Sequence, residues 1–107
     1  MNATLEKVRR LEQYVATSES AVDPVLDMAV DKLLERESAR LFALKSRLAE
    51  QLAELERRYG MKSVDFYARY ERGEMGDDTD FVEWSATVEM LENANKRLAV
   101  LEESTPG

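Results

Sequence analysis

The strongest constraint on the fold is the stretch from Pro24 to Tyr59, which contains no glycine or proline after its first residue. Asp23 is a strong N-cap residue, proline suits the first helical position, and Gly60 can adopt the left-handed conformation that ends a helix. At about 1.5 Å per residue, this helix would be roughly 50 Å long. Such a helix needs a long partner to cover it, so the pattern predicts an all-α protein.

Leucine recurs every seven positions along this helix, which predicts the seam of a coiled coil or a helical bundle. The positions three residues further on are mostly polar, so the apolar stripe is completed by other residues at helical spacing. The repeat consists of Leu34, Leu41, Leu48 and Leu55, and the completing residues are Leu44, Leu52 and Tyr59.

A second face of the same helix carries small residues around one aromatic ring. Its members recur at steps of three and four residues, as Ala39, Phe42, Ser46, Ala49 and Ala53. Small side chains let helices approach closely, and two contact faces indicate one contact within the chain and another outside it. We therefore predict a homodimer with Ala39, Phe42, Ala49 and Ala53 at its interface.

Shorter helices are predicted on both sides of the long one. Apolar residues at helical spacing give the first and last helices a face that is expected to pack along the long helix. A chain of 107 residues is the size of one domain. The prediction is one all-α domain, a long helical hairpin or antiparallel coiled-coil-like bundle with a short aromatic helix near one end. The domain covers residues 1–107, with helices at about 4–16, 24–59, 64–72 and 81–103.

Polar residues at three positions predict details of the shorter helices. Ser63 is the expected N-cap of the third helix, and Asp80, with Glu83 three residues later, resembles a capping box for the fourth. Asn95 falls within the apolar stripe of the fourth helix. It either fixes helix register inside the core or lies at the edge of the stripe in water.

Aromatic residues are concentrated near the end of the long helix, where six of the eight lie between positions 59 and 84. Aromatic rings bury large areas with defined geometry, so they suit a small core that folds this end of the hairpin. Trp and Tyr are also enriched in binding hot spots, so some of these rings are candidate anchors for a partner. The candidate partner contacts are Phe66, Tyr67, Tyr70 and Trp84, together with the acids Asp77 and Asp78.

The acids between Glu74 and Asp80 have three interpretations. They can complement the positive N-terminal end of the helix that follows, contact a partner, or bind a divalent cation. The spacing does not match the calcium-loop pattern Asp-x-Asp-x-Asp-Gly. We therefore expect no metal at this run.

Composition excludes several kinds of chemistry. The chain has no His and no Cys, and these residues provide the commonest general base, transition-metal ligand and thiolate nucleophile. No glycine-rich phosphate loop is present. We therefore expect no enzymatic activity and no cofactor.

The charge balance indicates the kind of partner. A net charge of −7 disfavours direct contact with nucleic acid or with an anionic membrane, and it favours a basic protein. Neither a signal peptide nor a run of about 20 apolar residues is visible. A cytoplasmic location is expected.

Part of the sequence resembles a known signature. Tyr59-Gly60-Met61, then Phe66-Tyr67, then the run from Gly73 to Ser85 resemble small prokaryotic all-helical antitoxin-like proteins of TumE-type toxin–antitoxin loci. The resemblance covers about residues 52–91, and it implies an all-helical, non-catalytic protein with a protein partner. Together with the charge, it predicts neutralisation of a basic partner encoded nearby. The alternative is a structural coiled-coil adaptor or dimerisation protein, which the length of the long helix favours.

Overall fold

The computed structural model describes residues 2–17 and 23–102. It contains four helices, and the bounds predicted from the sequence differ from the observed ones by at most two residues. Glu103, the predicted end of the last helix, lies outside the described residues. The all-α prediction is confirmed. The helices are α1 (Ala3–Ala16), α2 (Pro24–Tyr59), α3 (Ser63–Glu71) and α4 (Thr79–Glu102).

The chain divides into two compact units, residues 1–33 and 34–107, and the boundary between them falls inside α2. The single domain stays a prediction. In the first unit, Asn2 accepts the backbone N–H of Leu5 at 3.0 Å and begins α1. Asp23 accepts the N–H of Val25 at 2.9 Å, so it is the N-cap of α2, as predicted.

Most apolar residues of α1 are exposed. Leu5, Val8 and Leu11 are 43%, 53% and 38% exposed, and α1 contains no buried residue. Packing of this face along the long helix stays a prediction. Periodicity shows that a helix is amphipathic, but it does not show what the apolar side contacts.

In the second unit, α2 and α4 pack antiparallel. Arg58 contacts Asp80 at one end of the pair, and Leu44 and Leu101 line one groove at the other end. The predicted leucine seam is present, except that Leu34 is 43% exposed. The buried apolar residues of the two helices are Leu41, Leu48, Leu52, Leu55, Trp84, Ala94 and Leu98.

Two details of the helices follow local chemistry. Gly60 has a φ of +63° and ends α2, as predicted. Asn95 is exposed, whereas its neighbour Ala94 is only 1% exposed. Asn95 therefore lies at the edge of the stripe in water and does not fix the register of the core.

Among the described helices, none is both long and apolar enough to cross a membrane.

Candidate functional site

The aromatic end of the hairpin, residues 59–84, contains a small hydrophobic core. Phe66 of α3 and Trp84 of α4 stack with ring centroids 3.9 Å apart and planes 3° from parallel. Phe81 lies 5.6 Å from Phe66 and 5.2 Å from Tyr59, so rings from three helices meet here. The buried members of this core are Leu52, Leu55, Phe66 and Trp84.

Burial separates the candidate aromatic contacts into two groups. Phe66 and Trp84 are 0% exposed, so they belong to the core, and a partner could not touch them while this fold is intact. Tyr67 and Tyr70 pack against the same core but are only half-buried. These two tyrosines therefore remain candidate partner contacts.

A hydrogen-bonded chain joins the core to the start of α3. The indole N–H of Trp84 donates to Oγ of Ser63 at 2.9 Å, and the backbone N–H of Ser63 donates to Oε2 of Glu56 at 2.8 Å. The second bond lowers the pKa of Glu56 because it stabilises the charged carboxylate. A carboxylate from α2 thus serves the N-terminus of α3.

The prediction that Ser63 is the N-cap of α3 is wrong. Ser63 is the first helical residue, and Lys62 occupies the cap position without a side-chain hydrogen bond. The reason is tertiary, since Glu56 accepts the first backbone N–H of α3 and the hydroxyl of Ser63 accepts the indole N–H of Trp84.

The acidic turn before α4 contains a cap at a position that was not predicted. The carboxylate of Asp78 accepts the N–H of Asp80 at 2.9 Å, and the backbone carbonyl of Asp78 accepts the N–H of Val82 at 3.0 Å. Asp78 is therefore the N-cap, and the predicted capping box at Asp80 is wrong by two residues. Asp77 and Asp78 are both exposed and remain candidate contacts, and Asp78 has a structural role in addition.

Asp80 joins the first turn of α4 to the end of α2. Its Oδ2 accepts from Nη1 of Arg58 at 3.0 Å and also from the hydroxyl of Tyr59. The hydrogen bond from Tyr59, followed by the one from Arg58, lowers the pKa of Asp80, and the bond to Asp80 raises the pKa of the Tyr59 hydroxyl. On the other side of α4, the hydroxyl of Tyr67 donates to Oε1 of Glu89 at 3.0 Å.

The predicted dimer residues lie on a largely exposed face of α2. Ala39, Phe42 and Ala49 are exposed, and Ala53 is half-buried. Phe42 is 48% exposed, which is high for a large aromatic side chain. The face is thus available to another chain, and the homodimer itself stays a prediction.

A groove between α2 and α4 was not predicted from the sequence. Its volume is about 630 Å³, and we call it the Met90 groove. Leu55, Ala86 and Met90 give it an apolar part, and Met90 is 49% exposed. The charged residues that line it are Glu50, Glu54 and Glu83 together with Arg47 and Arg58.

A signal for this groove is present in the sequence. Val82, Ala86 and Met90 recur every four residues, which marks a second apolar stripe on α4. Val82 is 48% exposed, so this stripe lies at the surface. The stronger stripe through Trp84 and Leu98 obscured it.

No group of three or more acidic side chains is placed to hold a metal ion within residues 2–17 and 23–102. The acidic side chains of the turn instead contact different groups. Asp78 caps α4, Asp80 contacts α2, and Glu74 pairs with Arg72. That the acidic run binds no metal stays a prediction.

Comparison with known proteins adds no functional assignment. No family model matches the sequence, and neither a curated protein nor a solved structure matches it. The resemblance to TumE-type antitoxin-like proteins therefore rests on the residues quoted for it and stays a prediction.

Proposed function

We propose that this chain is a non-enzymatic protein-binding module that neutralises a basic, toxin-like partner encoded nearby. The observation that carries the proposal is the Met90 groove, which combines exposed apolar side chains with carboxylates. Exposed apolar surface bordered by polar residues is typical of protein-interaction sites. The net charge of −7 would attract a basic protein and speed the association.

The charges around the groove favour a basic segment. Glu50, Glu54 and Glu83 line it together with Arg47 and Arg58. Arg58 is already engaged by Asp80 at 3.0 Å and Glu54 by Arg57 at 2.7 Å. Glu50 and Glu83 are therefore the carboxylates proposed to meet the cations of a partner. Met90 has a flexible, polarisable side chain that adapts to varied apolar surfaces. An amphipathic helix with a basic side therefore fits this groove, with its apolar face on Met90 and its cations toward the glutamates.

The acidic turn supplies a second proposed contact. Asp77 is exposed, and Tyr67 and Tyr70 are half-buried beside the aromatic core. In this proposal, the half-buried rings of Tyr67 and Tyr70 and the carboxylate of Asp77 extend the contact beyond the Met90 groove. Phe66 and Trp84 act only as the support that keeps these residues in place.

The test uses the protein encoded beside this chain, which should inhibit growth when it is expressed alone and not when the two are co-expressed. A Glu83→Lys, Met90→Asp double variant is expected to lose this protection and to bind at least about tenfold more weakly. Glu83→Lys brings like charges together across the contact, and Met90→Asp places a carboxylate against the apolar face of the partner. Binding of the unmodified chain should also weaken at high salt.

Glu92→Lys is the matched control, because Glu92 is exposed and nine residues from Glu83, on the opposite side of α4. It should bind like the unmodified chain. If a folded double variant protects and binds as well as this control, the groove is not the contact. If the neighbouring protein neither inhibits growth nor binds, the neutralisation proposal is wrong.

A second candidate function is that of a structural coiled-coil adaptor or dimerisation protein. The exposed Phe42 and the small residues around it on α2 favour this function specifically. Light scattering across a size-exclusion peak measures the mass of the particle. A monomer mass at high micromolar concentration would rule out the dimer.

A further inference from the structure

On the exposed face of α2 around Phe42, small residues and charged residues are spaced symmetrically before and after Ser46. Ala39 and Ala53 lie seven residues before and after Ser46, and Glu35 and Arg57 lie eleven residues before and after it. All five positions belong to α2. With Phe42 and Ala49 between them, successive members are three or four residues apart, which keeps them on one side of the helix. One end of this Phe42 face is therefore acidic and the other end is basic.

We infer that the Phe42 face docks on the same face of a second copy in antiparallel orientation, with Ser46 near the twofold axis. A twofold contact uses the same patch on both copies. The antiparallel arrangement places Glu35 beside the partner's Arg57, and it does so twice. This inference rests on the homodimer proposed above and is independent of toxin binding.

The shape of the face agrees with this orientation. Phe42 is the only large side chain among the small residues Ala39, Ser46, Ala49 and Ala53, and it is 48% exposed. Because Phe42 lies four residues before Ser46, its ring would reach the partner's Ala49 and the partner's Ala53. In a parallel pair, the two rings would lie at the same level and would hold the helices apart.

The charges also distinguish the two orientations. A parallel pair places glutamate against glutamate at position 35 and arginine against arginine at position 57, and such like-charge contacts are unfavourable. Arg57 also contacts Glu54 within its own chain at 2.7 Å, so the new ion pair would be shared. Exposed ion pairs add little affinity, and these would select orientation more than strength.

One feature opposes the antiparallel pair. Lys45 lies on the flank of the face, one residue before Ser46, so the two Lys45 side chains would come to the same level. The long stem of lysine allows the ammonium groups to separate into water.

The contact between positions 35 and 57 is about 35 Å long and about 10 Å wide. This is below the ~800 Å² per partner of standard complexes, so we expect a micromolar dimer.

Single-cysteine variants test the orientation, because the chain has no native Cys. A disulfide needs Cα atoms about 4.4–6.8 Å apart. In the antiparallel pair, Ser46→Cys cross-links with itself. Ala39→Cys alone and Ala53→Cys alone do not, because their own copies are about 21 Å apart along the axis. An equal mixture of Ala39→Cys and Ala53→Cys does cross-link.

Each outcome has a distinct meaning. Ala99 is exposed on α4, so the rate at which Ala99→Cys cross-links measures random collisions between chains. Ser46→Cys should cross-link about tenfold faster, which corresponds to a preference of about 1.4 kcal/mol for the docked arrangement. If Ala39→Cys alone cross-links as fast as Ser46→Cys, the dimer is parallel and the inference is wrong. If no variant exceeds Ala99→Cys and the mass is that of a monomer, the dimer and the inference are both wrong. Partner binding and growth protection are measured separately and would be unaffected.

Charge-reversal variants give an independent measurement without cysteine. Glu35→Arg alone and Arg57→Glu alone should each weaken the dimer, because each creates like-charge contacts with the partner. Mixing the two variants restores opposite charges at both ends of an antiparallel heterodimer. A parallel heterodimer would gain opposite charges in the same way, so the single variants decide the orientation. In a parallel pair, positions 35 and 57 already face like charges, so single variants that dimerise as strongly as the unmodified chain would overturn the inferred orientation.

Discussion

Replacement of Trp84 by alanine tests the aromatic core most directly. The ring of Trp84 has no exposed surface, stacks on Phe66 at 3.9 Å and lies 5.7 Å from Tyr59. Its indole N–H donates to Ser63. Since these contacts join α2, α3 and α4, removing the ring should destabilise the whole unit that spans residues 34–107.

The expected loss follows from the buried area. An aromatic side chain removes about 150–250 Å² from water, which at ~25 cal/mol per Å² corresponds to roughly 4–6 kcal/mol. Substitutions of buried Phe or Trp by Ala destabilise by about 3–5 kcal/mol. At about 0.05–0.15 kcal/mol per residue, a chain of 107 residues has roughly 5–16 kcal/mol in total. Trp84→Ala should therefore remove a large part of the free energy of unfolding.

Urea denaturation followed by far-ultraviolet circular dichroism measures this loss, because Trp84 is the single tryptophan and its fluorescence disappears in the variant. Trp84→Phe keeps a ring and should lose much less. Tyr14→Ala is the control, since Tyr14 is 70% exposed and should change the free energy by less than about 0.5 kcal/mol. If Trp84→Ala unfolds at the same urea concentration as this control, the aromatic core does not stabilise the fold.

The other predictions concern single contacts. The pKa of Glu56 is lowered by the N–H of Ser63, so the stability from this contact is complete above the ordinary glutamate value of 4.5 and is lost as pH falls through the lower folded pKa. Urea midpoints between about pH 6 and about pH 3 should fall more steeply in the unmodified chain than in Glu56→Gln, and equal slopes would contradict this. Gly60→Ala should lower the melting temperature by the equivalent of about 1–2 kcal/mol, because the φ of +63° is unfavourable for alanine; an unchanged melting temperature would argue against a left-handed residue there. Asp78→Ala should lose about 0.5–2 kcal/mol with its cap, whereas Asp77→Ala should change stability little, and equal effects in chemical denaturation would remove the cap assignment.

The helix bounds were predictable because local chemistry sets them. Asp23 caps α2 with its own carboxylate, and Gly60 ends it with a φ of +63°. Both residues act on backbone groups a few positions away, so their effect is visible in the sequence. The leucine spacing likewise indicated which side of α2 meets α4, and Leu41, Leu48 and Leu55 are buried there.

The assignments that failed depend on groups from another helix. The Ser63 hydroxyl accepts from Trp84 and does not cap α3, while Glu56, seven residues earlier on α2, accepts the backbone N–H of Ser63. Asp80 does not begin α4 because Arg58 and Tyr59 engage its carboxylate, while Asp78 takes the cap. A local sequence pattern does not show which distant side chain will hydrogen-bond to a given group.

Burial of the candidate site was decided in the same way. The sequence placed Phe66 and Trp84 among aromatic neighbours and left both a core role and a partner contact open. Only the stacking of α3 on α4 removes both rings from solvent. Periodicity also identified the faces through Phe42 and through Met90, yet it does not show which faces another helix covers. The sequence thus defines the helices and their apolar sides through short-range effects. The packing of the helices defines which sides remain exposed, because burial is a property of pairs of surfaces.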